Sequence, residues 1–236
     1  MQKIAGYIRK AVADYNMIQP GDRIAVGVSG GKDSVLLLAG LVKLRSFYPL
    51  PFDLVAITLD PGFFGRREDY SPIADLCQQW QVPYVVKETD IGPVIFDIRK
   101  ESNPCSLCAR MRRGLLHDTA KEQGCNKVAL GHHYNDAVET FVMNLFNEGR
   151  LGCFSPVTYL SRKDLTMIRP LVYLPEREIA NAVRRNGLPV VKSRCPADGV
   201  TRRQWTKEWL EQMEREDPGI TKRLFTAMRD GHVSGW

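Results

Sequence analysis

Short apolar runs alternate along this chain with longer stretches in which apolar residues recur every three or four positions. The short runs are typical of buried strands, and the longer stretches are typical of amphipathic helices. The predicted strands are 24–28, 54–59, 83–86, 127–130 and 167–169. The predicted helices are 2–15, 33–46, 70–80, 106–123, 135–147 and 175–186. This alternation predicts an α/β fold in which helices cover both faces of a parallel five-stranded sheet.

The pattern changes in the C-terminal part of the chain. Residues 187–205 are irregular and basic, and 205–229 look helical again with an interruption at Pro218. We therefore predict a main domain over residues 1–186 and a basic, short helical C-terminal extension over 187–236.

The strands of a parallel sheet end at a common edge, so residues that directly follow them should meet in one crevice. A glycine-rich turn follows the first predicted strand, Asp60 ends the second, and Gly131 follows the fourth. Residues 61–69 and 149–165 are predicted to be connecting loops. The ligand site is therefore expected where the first, second and fourth strands end.

The glycine-rich turn consists of Ser29, Gly30, Gly31, Lys32, Asp33 and Ser34. Glycines let the backbone approach oxygen atoms closely, and free N–H groups at the start of a helix attract anions. The two hydroxyls and the lysine ammonium add donors and positive charge, so the segment predicts a phosphate-binding loop. It differs from the G-x-x-x-x-G-K-[ST] pattern, because Gly27 is followed five residues later by Lys32 and then by Asp33.

This loop resembles the S-G-G-x-D-S loop of the ATP-pyrophosphatase superfamily. Members of that superfamily split ATP between its α and β phosphates and transfer AMP to a substrate oxygen. The resemblance implies an adenine nucleotide α-hydrolase-like fold, ATP binding and adenylation rather than transfer of the γ-phosphoryl group. Asp33 could bind a Mg²⁺ ion that bridges the phosphates, or it could be a first-turn acid favoured by the helix dipole.

Residues after two other strands are candidates for the same site. Leu59 and Asp60 end the second strand, where backbone groups often meet an adenine ring. Gly131, His132 and Asp136 follow the fourth strand and open a helix, where Asp136 could hold Mg²⁺ or cap the helix. The resemblance implies that Gly131 and His132 lie near the adenosine and that Asp136 lies near the reacting phosphate. The alternative for His132 is a turn residue bonded to backbone.

Six cysteines occur in the chain. Cys105 and Cys108 form a C-x-x-C pair at a predicted helix start, where thiols have a lowered pKa and can share a metal centre. Cys195 lies in a polar loop before Pro196 and is the candidate third ligand. Spacing alone leaves three interpretations open: a four-ligand zinc site, a redox pair, or a three-cysteine iron–sulfur cluster with one open iron. The remaining cysteines are predicted to be small core residues: Cys77, Cys125 and Cys153.

The net charge of +6 predicts an acidic partner. Arginines and lysines cluster at 110–113 and 184–207, where they could neutralise RNA phosphates or form a solvated surface. Arg169 could contact phosphate or tRNA, or form a surface ion pair. No apolar run of about 18 residues suggests a membrane span, and the N-terminus lacks the apolar core of a signal peptide. We therefore expect a cytoplasmic protein without a membrane partner.

A wider resemblance rests on three stretches. They are Cys105-Ser-Leu-Cys-Ala-Arg-Met-Arg-Arg-Gly, Ala129-Leu-Gly-His-His-Tyr-Asn-Asp-Ala-Val-Glu-Thr and Ile168-Arg-Pro-Leu-Val-Tyr. They look like the tRNA 2-thiocytidine synthetase family, which is similar to this chain over roughly residues 1–210. The resemblance implies a tRNA sulfurtransferase that adenylates a cytidine carbonyl oxygen and replaces the oxygen with sulfur delivered through a [4Fe-4S] cluster. It also implies that Cys105, Cys108 and Cys195 hold this cluster.

The same resemblance implies ATP and Mg²⁺ as further cofactors. Its partners would be tRNA and a sulfur donor, either a cysteine desulfurase or inorganic sulfide, and two copies of the chain could form a homodimer. One departure concerns Asp198, which stands three residues after Cys195 where the family usually completes a second C-x-x-C. This departure leaves thiolation of another base, or of a substrate other than tRNA, as an alternative.

Three further alternatives belong to other functional classes. The first is a persulfide-type thiolase that uses Cys105 or Cys108 without a cluster. The second is an amide-forming ATP pyrophosphatase with structural zinc. The third is a nucleotide- or RNA-binding module without enzymatic activity, which the intact loop over residues 29–34 argues against.

Overall fold

The computed structural model describes residues 1–100, 104–197 and 202–236. Its strands are β1 (Asp22–Gly27), β2 (Phe52–Asp60), β3 (Tyr84–Glu88), β4 (Lys127–Ala129), β5 (Val157–Leu160) and β6 (Leu165–Ile168). Its helices are α1 (Gln2–Asp14), α2 (Lys32–Arg45), α3 (Ser71–Gln79), α4 (Ile91–Pro93), α5 (Pro104–Glu122), α6 (Tyr134–Glu148), α7 (Glu176–Arg185), α8 (Arg202–Glu216) and α9 (Ile220–Asp230). A π-helical turn over Val94–Ile98 continues α4, and short 3₁₀ turns lie at Phe63–Gly65 and Val233–Gly235.

The strands form a six-stranded sheet with the order β3-β2-β1-β4-β6-β5. All neighbouring strands are parallel except β5 and β6, which form an antiparallel pair. The predicted α/β class and parallel sheet are confirmed, but the predicted count of five strands is wrong. The missed strand is β5, which lies at the sheet edge within the predicted loop 149–165. Its residues are only partly buried, so they lack the apolar run that marks a central strand.

Helix α2, which follows the phosphate loop, is buried on nearly every side. Leu36, Leu37 and Leu38 are fully buried in the core, so consecutive positions of the helix contact protein rather than water. This explains its continuous apolar sequence, which lacks a polar face. Gly40 permits close packing with α1, because a Cβ at Gly40 would lie 2.3 Å from Ile8 Cδ1.

Two hydrophobic clusters cover the sheet. The larger cluster joins α1, α2, α6 and α7 to one face and extends to Phe225, Met228 and Trp236 near the C-terminus. The smaller cluster packs Leu116 and Ala120 of α5 against the opposite face. Helices therefore cover both faces as predicted, and the helical segments α8 and α9 contact α6.

The described helices include none with the length and apolar character that a bilayer span requires. The ends of β1, β2 and β4 lie side by side in the sheet, because β1 pairs with both of the other strands in parallel. The segments that follow these three strands therefore form one edge, where the candidate site lies.

Candidate active site

The phosphate loop connects β1 to α2 and is closed by its own serines. The Ser29 backbone N–H donates to Ser34 Oγ at 3.0 Å, and Ser34 Oγ donates to the Gly31 carbonyl oxygen at 2.9 Å. Gly30 has a φ of +86°, and a Cβ there would lie 2.9 Å from Val191 Cβ. Glycine is therefore required at Gly30 by both conformation and space. The loop presents a helix N-terminus, which suits an anionic ligand.

Two carboxylates face each other across this loop through His133. The imidazole Nε2 lies 3.7 Å from Asp33 Oδ1 and 3.5 Å from Asp136 Oδ2. Since Nδ1 accepts the Asn135 backbone N–H at 3.2 Å, the neutral ring carries its proton on Nε2 and directs it toward the carboxylates. Asp33 Oδ1 is buried without a hydrogen-bond partner in the described part of the chain. An acceptor left in this state fits a ligand or cation.

Asp136 has the capping role that its position at the helix start predicted. Its Oδ2 accepts the backbone N–H of His133 at 3.0 Å, which completes a capping box at the N-terminus of α6. Gly131 brings this turn against the phosphate loop, because a Cβ at Gly131 would lie 3.2 Å from the backbone of both Asp33 and Ser34. The segment after β4 and the loop after β1 therefore form a single surface.

A cavity of about 390 Å³ opens at this surface. The predicted residues in its lining are Ser29, Asp33, Ser34, Leu59, Gly131, His132 and Asp136. Apolar side chains that the lining also includes are Ile57, Leu116 and Leu130. A lining that combines polar groups and a helix N-terminus with apolar side chains suits a nucleotide, which has charged phosphates and a planar base. Seven predicted nucleotide-site residues therefore line one cavity.

Two predicted site residues have their side chains engaged elsewhere. The buried carboxylate of Asp60 accepts the backbone N–H groups of Gly62 at 2.9 Å and Glu68 at 3.1 Å, so it organises the loop that follows β2. Lys32 Nζ lies 3.1 Å from Asp33 and 3.0 Å from Glu176 at the start of α7. Neither Asp60 nor Lys32 is among the described residues that line the cavity.

Glu176 joins the phosphate loop to α8. It lies 2.8 Å from Lys207 Nζ as well as 3.0 Å from Lys32 Nζ. Burial by itself raises the pKa of Glu176, but the hydrogen bonds from Lys207 and Lys32 outweigh it and lower the pKa to about 2. The carboxylate is therefore ionised at neutral pH and holds two ammonium groups.

A second connection to α8 involves Arg203. Its Nη1 lies 3.2 Å from Glu139 Oε2 and 3.5 Å from Asp136 Oδ1. Burial and the neighbouring Asp136 charge raise the pKa of Glu139 to about 7, although Arg203 opposes them. Arg203 and Lys207 were predicted from sequence to belong to a basic RNA-binding or solvated surface. In the structure both form ion pairs next to the phosphate loop.

His132 lies at the polar wall of the cavity as a neutral ring. Burial lowers its pKa to about 4, and its Nδ1 has no hydrogen-bond partner among the described residues. The His132 ring packs on the Phe154 ring, and the two ring centroids are 5.0 Å apart. The guanidinium carbon of Arg169 also lies 5.0 Å from the centroid of the Phe154 ring. Arg169 is only 6% exposed, so it is not the surface residue that one sequence interpretation proposed.

Sequence reasoning also missed residues that the fold brings to the cavity. Helix α5 contributes Arg112, Arg113 and His117, and its C-x-x-C pair lies at the start of the same helix. His117 is buried, and its Nε2 has no hydrogen-bond partner in the described residues. A lone histidine within a helix carries no sequence signal, and for the two arginines charge alone predicts either RNA binding or a solvated surface.

The candidate cluster cysteines are free thiols, and Cys108 directly precedes Ala109, which lines this cavity. Cys105 is exposed, and Cys108 and Cys195 are partly buried. Burial raises the pKa of Cys108, Arg112 opposes this shift, and the charges of Cys195 and Cys105 add to it. Both partner thiols therefore lie within electrostatic reach of Cys108, although Cys195 is distant in sequence. Across the described residues, no set of three or more Cys, His, Asp and Glu side chains has the arrangement of a metal site.

The donor chemistry of these three thiols nevertheless fits an iron–sulfur group, because soft thiolates are the ligands that such clusters take. The other cysteines differ in setting. Cys77 and Cys125 are buried in the core, and burial raises the pKa of the Cys77 thiol to about 11 and of the Cys153 thiol to about 12. Asp198, which stands near Cys195 in sequence, lies outside the described residues.

Comparison with known proteins identifies the family of the chain. The PP-loop domain family matches residues 2–211. A tRNA-cytidine(32) 2-sulfurtransferase of Geobacter metallireducens is 44% identical over 230 residues, which cover 96% of this chain and 89% of that protein. A protein of the same name from Citrifermentans bemidjiense is 41% identical over 233 residues, which cover 98% of this chain and 91% of the relative. The chain belongs to the PP-loop family of tRNA-cytidine(32) 2-sulfurtransferases.

Solved structures support the fold of this 2-sulfurtransferase family member. The U34-tRNA thiolase NcsA from Methanococcus maripaludis, with its [4Fe-4S] cluster, has a TM-score of 0.81 and 24% identity over 97% of this chain and 77% of that chain. The NH3-dependent NAD synthetase from Campylobacter jejuni has a TM-score of 0.50 and 18% identity over 100% of this chain and 96% of that chain. Family membership confirms the predicted resemblance, the sulfurtransferase class and the ATP-binding fold.

Proposed function

We propose that this chain thiolates cytidine in tRNA, with activation by ATP in the cavity beside the phosphate loop. The proposal rests on one observation about α5. This helix carries both the C-x-x-C thiols and side chains that line the nucleotide cavity, and Arg112 follows Cys108 by one helical turn. The names of the relatives, which are tRNA-cytidine(32) 2-sulfurtransferases, supply the substrate class.

In the activation step, the phosphate loop and the N-terminus of α2 hold the phosphates of ATP. Asp33 and Asp136 would hold Mg²⁺, which when bound neutralises phosphate charge. The carbonyl oxygen of the base attacks the α-phosphate, a bond to AMP forms, and pyrophosphate leaves. The His133 ring lies between the two carboxylates, with Nε2 3.7 Å from Asp33 Oδ1 and 3.5 Å from Asp136 Oδ2, and would keep them apart on either side of it. Positioning and charge neutralisation supply most of the rate.

In the sulfur-transfer step, Cys105, Cys108 and Cys195 would hold a [4Fe-4S] cluster. When bound, such a group supplies an iron without a protein ligand, to which inorganic sulfur can attach. The contribution of the chain is to supply three thiols, with Cys108 one helical turn before Arg112. Arg112 and Arg113 add positive charge where the activated base and the departing AMP are negatively charged. The structural neighbour NcsA, described with a [4Fe-4S] cluster, supports this assignment.

The partners follow from the same proposal. Besides tRNA, the enzyme needs a sulfur donor, either a cysteine desulfurase or inorganic sulfide, and the reaction belongs in the cytoplasm, where tRNA is modified. Persulfide chemistry on Cys105 or Cys108 without a cluster, and an amide-forming enzyme with structural zinc, remain the competing assignments. Iron and zinc analysis of anaerobically prepared protein separates them.

The deciding experiment is nucleoside analysis of tRNA by mass spectrometry in a strain lacking the gene. We expect 2-thiocytidine to be absent and to return when the wild-type gene is supplied. A gene encoding Asp33→Ala should not restore it, whereas a gene encoding the exposed-strand variant Asp53→Ala should. Unchanged 2-thiocytidine in the deletion strain would refute the proposed function.

A further inference from the structure

A second cavity adjoins the phosphate loop. It measures about 190 Å³, roughly half the size of the nucleotide cavity. Its lining combines the loop after β2 with the segment that precedes Cys195: Ser29, Gly31, Pro61, Phe63, Glu68, Tyr70, Arg112, Val191, Lys192, Ser193 and Arg194. Ser29 and Arg112 line both cavities, so the two spaces adjoin.

The apolar wall of the second cavity is fixed by packing. Phe63 is held against Gly92, where a Cβ would lie 2.8 Å from Phe63 Cδ1, and against the Phe96 ring at 5.9 Å between centroids. Tyr70 lies beside the phosphate loop, since a Cβ at Gly30 would be 3.5 Å from Tyr70 Cε1. Phe63 and Tyr70 are both largely buried, and together with Pro61 they form an apolar wall suited to the face of a planar ring.

A carboxylate lines the same cavity. The Glu68 side chain is 14% exposed, and its backbone N–H is fixed by Asp60 Oδ2 at 3.1 Å. Glu68 Oε1 pairs with Arg194 Nε at 3.2 Å. A carboxylate offers about four acceptor positions on two oxygens, so the contact with Arg194 leaves capacity for a further donor. Asp60 therefore positions an acceptor in the same cavity as the apolar side chains of Pro61, Phe63 and Tyr70.

These features match a single-ring base with an exocyclic amine. Cytosine and uracil both have the carbonyl at ring position 2 that thiolation replaces, and they differ at position 4. There cytosine presents an amino donor and uracil presents a carbonyl acceptor, and Glu or Asp side chains accept from the cytosine amine. A carboxylate repels the uracil oxygen. Arg112, Lys192 and Arg194 add cations for the phosphates that flank the base.

We propose that this second cavity binds the base to be thiolated and that Glu68 selects cytosine over uracil by accepting its exocyclic amine. The inference rests on the proposed function. In this position the base would lie between Ser29 of the phosphate loop and the thiols. The thiols are close in sequence to two lining residues, because Cys108 is one helical turn before Arg112 and Cys195 directly follows Arg194.

The test uses two stem-loop RNAs that differ only by cytidine or uridine at the target position. Binding is measured by fluorescence anisotropy with a non-hydrolysable ATP analogue, and RNA-dependent pyrophosphate release is measured with ATP. A hydrogen bond to a charged group corresponds to roughly 10- to 100-fold in binding, so wild type should favour cytidine by about that factor. Glu68→Gln should reduce the ratio to within about threefold, because an amide can donate to uracil O4 as well as accept from cytosine.

Two further variants isolate the carboxylate. Arg194→Gln removes its ion-pair partner and should retain the preference for cytidine. Glu88→Gln removes an exposed carboxylate at the end of β3 and should match wild type in both assays. Circular dichroism and binding of the ATP analogue confirm that each variant is folded. A cytidine-to-uridine ratio in Glu68→Gln equal to that of wild type overturns the inference.

A different occupant is also distinguishable. If the three cations hold the departing pyrophosphate instead of a base, Glu68→Gln will tighten inhibition by inorganic pyrophosphate and leave the base ratio unchanged, which also overturns the inference. Failure of the proposed function looks different: the deletion strain would retain 2-thiocytidine, whatever the variants do. Loss of 2-thiocytidine in that strain together with an unchanged ratio in Glu68→Gln would reject only the role of Glu68.

Discussion

The phosphate-loop side and the cysteine side of the site differ in how far hydrogen bonds within the described chain fix their functional groups in place. On the first side, Ser29, Ser34 and Gly31 close the loop by hydrogen bonds, and Asp136 is held by a capping box. On the second side, Cys105, Cys108 and Cys195 are free thiols that are exposed or partly buried. The nucleotide half is therefore preorganised by hydrogen bonds, whereas the three thiols of the other half are not linked to one another by disulfide bonds.

This difference has a chemical basis. A phosphate loop uses backbone N–H groups and a helix N-terminus, which exist as soon as the strand and helix form. Thiolates that lie close together repel one another until a cation neutralises them, and burial together with the charges of Cys195 and Cys105 raises the pKa of Cys108. We therefore expect a bound metal to contribute more to the order of the thiol side than a nucleotide does to the phosphate loop.

The largest expected effect tests the thiol side. Single Cys105→Ser, Cys108→Ser and Cys195→Ser variants should each lose most of their iron and all sulfur transfer, because two thiolates retain a cluster poorly. Binding of ATP should persist in all three. Iron and sulfide are measured after anaerobic reconstitution.

Two other cysteines serve as controls for that series. Cys77→Ala and Cys153→Ala should keep near-wild-type iron, with a loss of about 1 kcal/mol in the free energy of unfolding. Retention of iron without Cys195, combined with loss of iron without Cys153, would show that the third ligand has been assigned wrongly.

The next effect tests the phosphate side alone. Asp33→Ala should lower the rate of pyrophosphate release by roughly 100- to 1000-fold, the loss typical of one preorganised charge-stabilising contact. Iron content should stay unchanged, since the thiols are held by other segments. The exposed Asp53→Ala variant removes the same charge from β2 and should behave as wild type. Asp33→Ala protein that releases pyrophosphate within about twofold of wild type would exclude a role for this carboxylate in adenylation.

The smallest effect concerns the link between the phosphate loop and α8. The pKa of Glu176 is lowered to about 2 from an ordinary value of 4.5, so its contribution to stability is present above pH 4.5 and is lost as pH falls toward 2. Glu176→Gln should therefore reduce the free energy of unfolding at pH 7 by on the order of 1–3 kcal/mol. Near pH 2 the two proteins should converge.

Denaturant unfolding of the apoprotein at several pH values measures this difference. Glu178→Gln, in the first turn of the same helix, removes a more exposed carboxylate paired with Lys3 and should cost under about 1 kcal/mol. A constant difference between Glu176→Gln and wild type across the acid range would contradict an ionised Glu176 in the folded state.

The fold was largely predictable from sequence because its central strands are continuous apolar runs and its phosphate loop has a specific order of residues. Edge strand β5 was missed because its residues, such as the partly buried Thr158 and the exposed Tyr159, give no such run. Asp60 was predicted to meet the adenine through backbone groups, and its carboxylate accepts two loop N–H groups. The sequence predicts that an acid ends β2, but only the folded loop shows which groups the side chain of that acid contacts.

Several ion pairs of the site join segments that are distant in sequence, and these pairs could not be predicted from the sequence. Glu176 reaches Lys32, Arg203 reaches Asp136, and Glu68 reaches Arg194 across at least 60 positions of chain. Such pairs depend on tertiary packing, for which one sequence holds no periodic signal. The C-x-x-C pair is predicted from spacing and Cys195 from its polar loop context, and their joint role as cluster ligands stays a prediction.

One backbone hydrogen bond sets a limit on distance within the site. The Val191 N–H donates to the Gly30 carbonyl oxygen at 3.0 Å. Cys195 is four residues further along, and four residues span at most about 14 Å even when fully extended. While this bond holds, the backbone of Cys195 cannot move further than this from Val191, which is tied to Gly30 of the phosphate loop. Any movement of the Cys195 segment is therefore tethered to the phosphate loop.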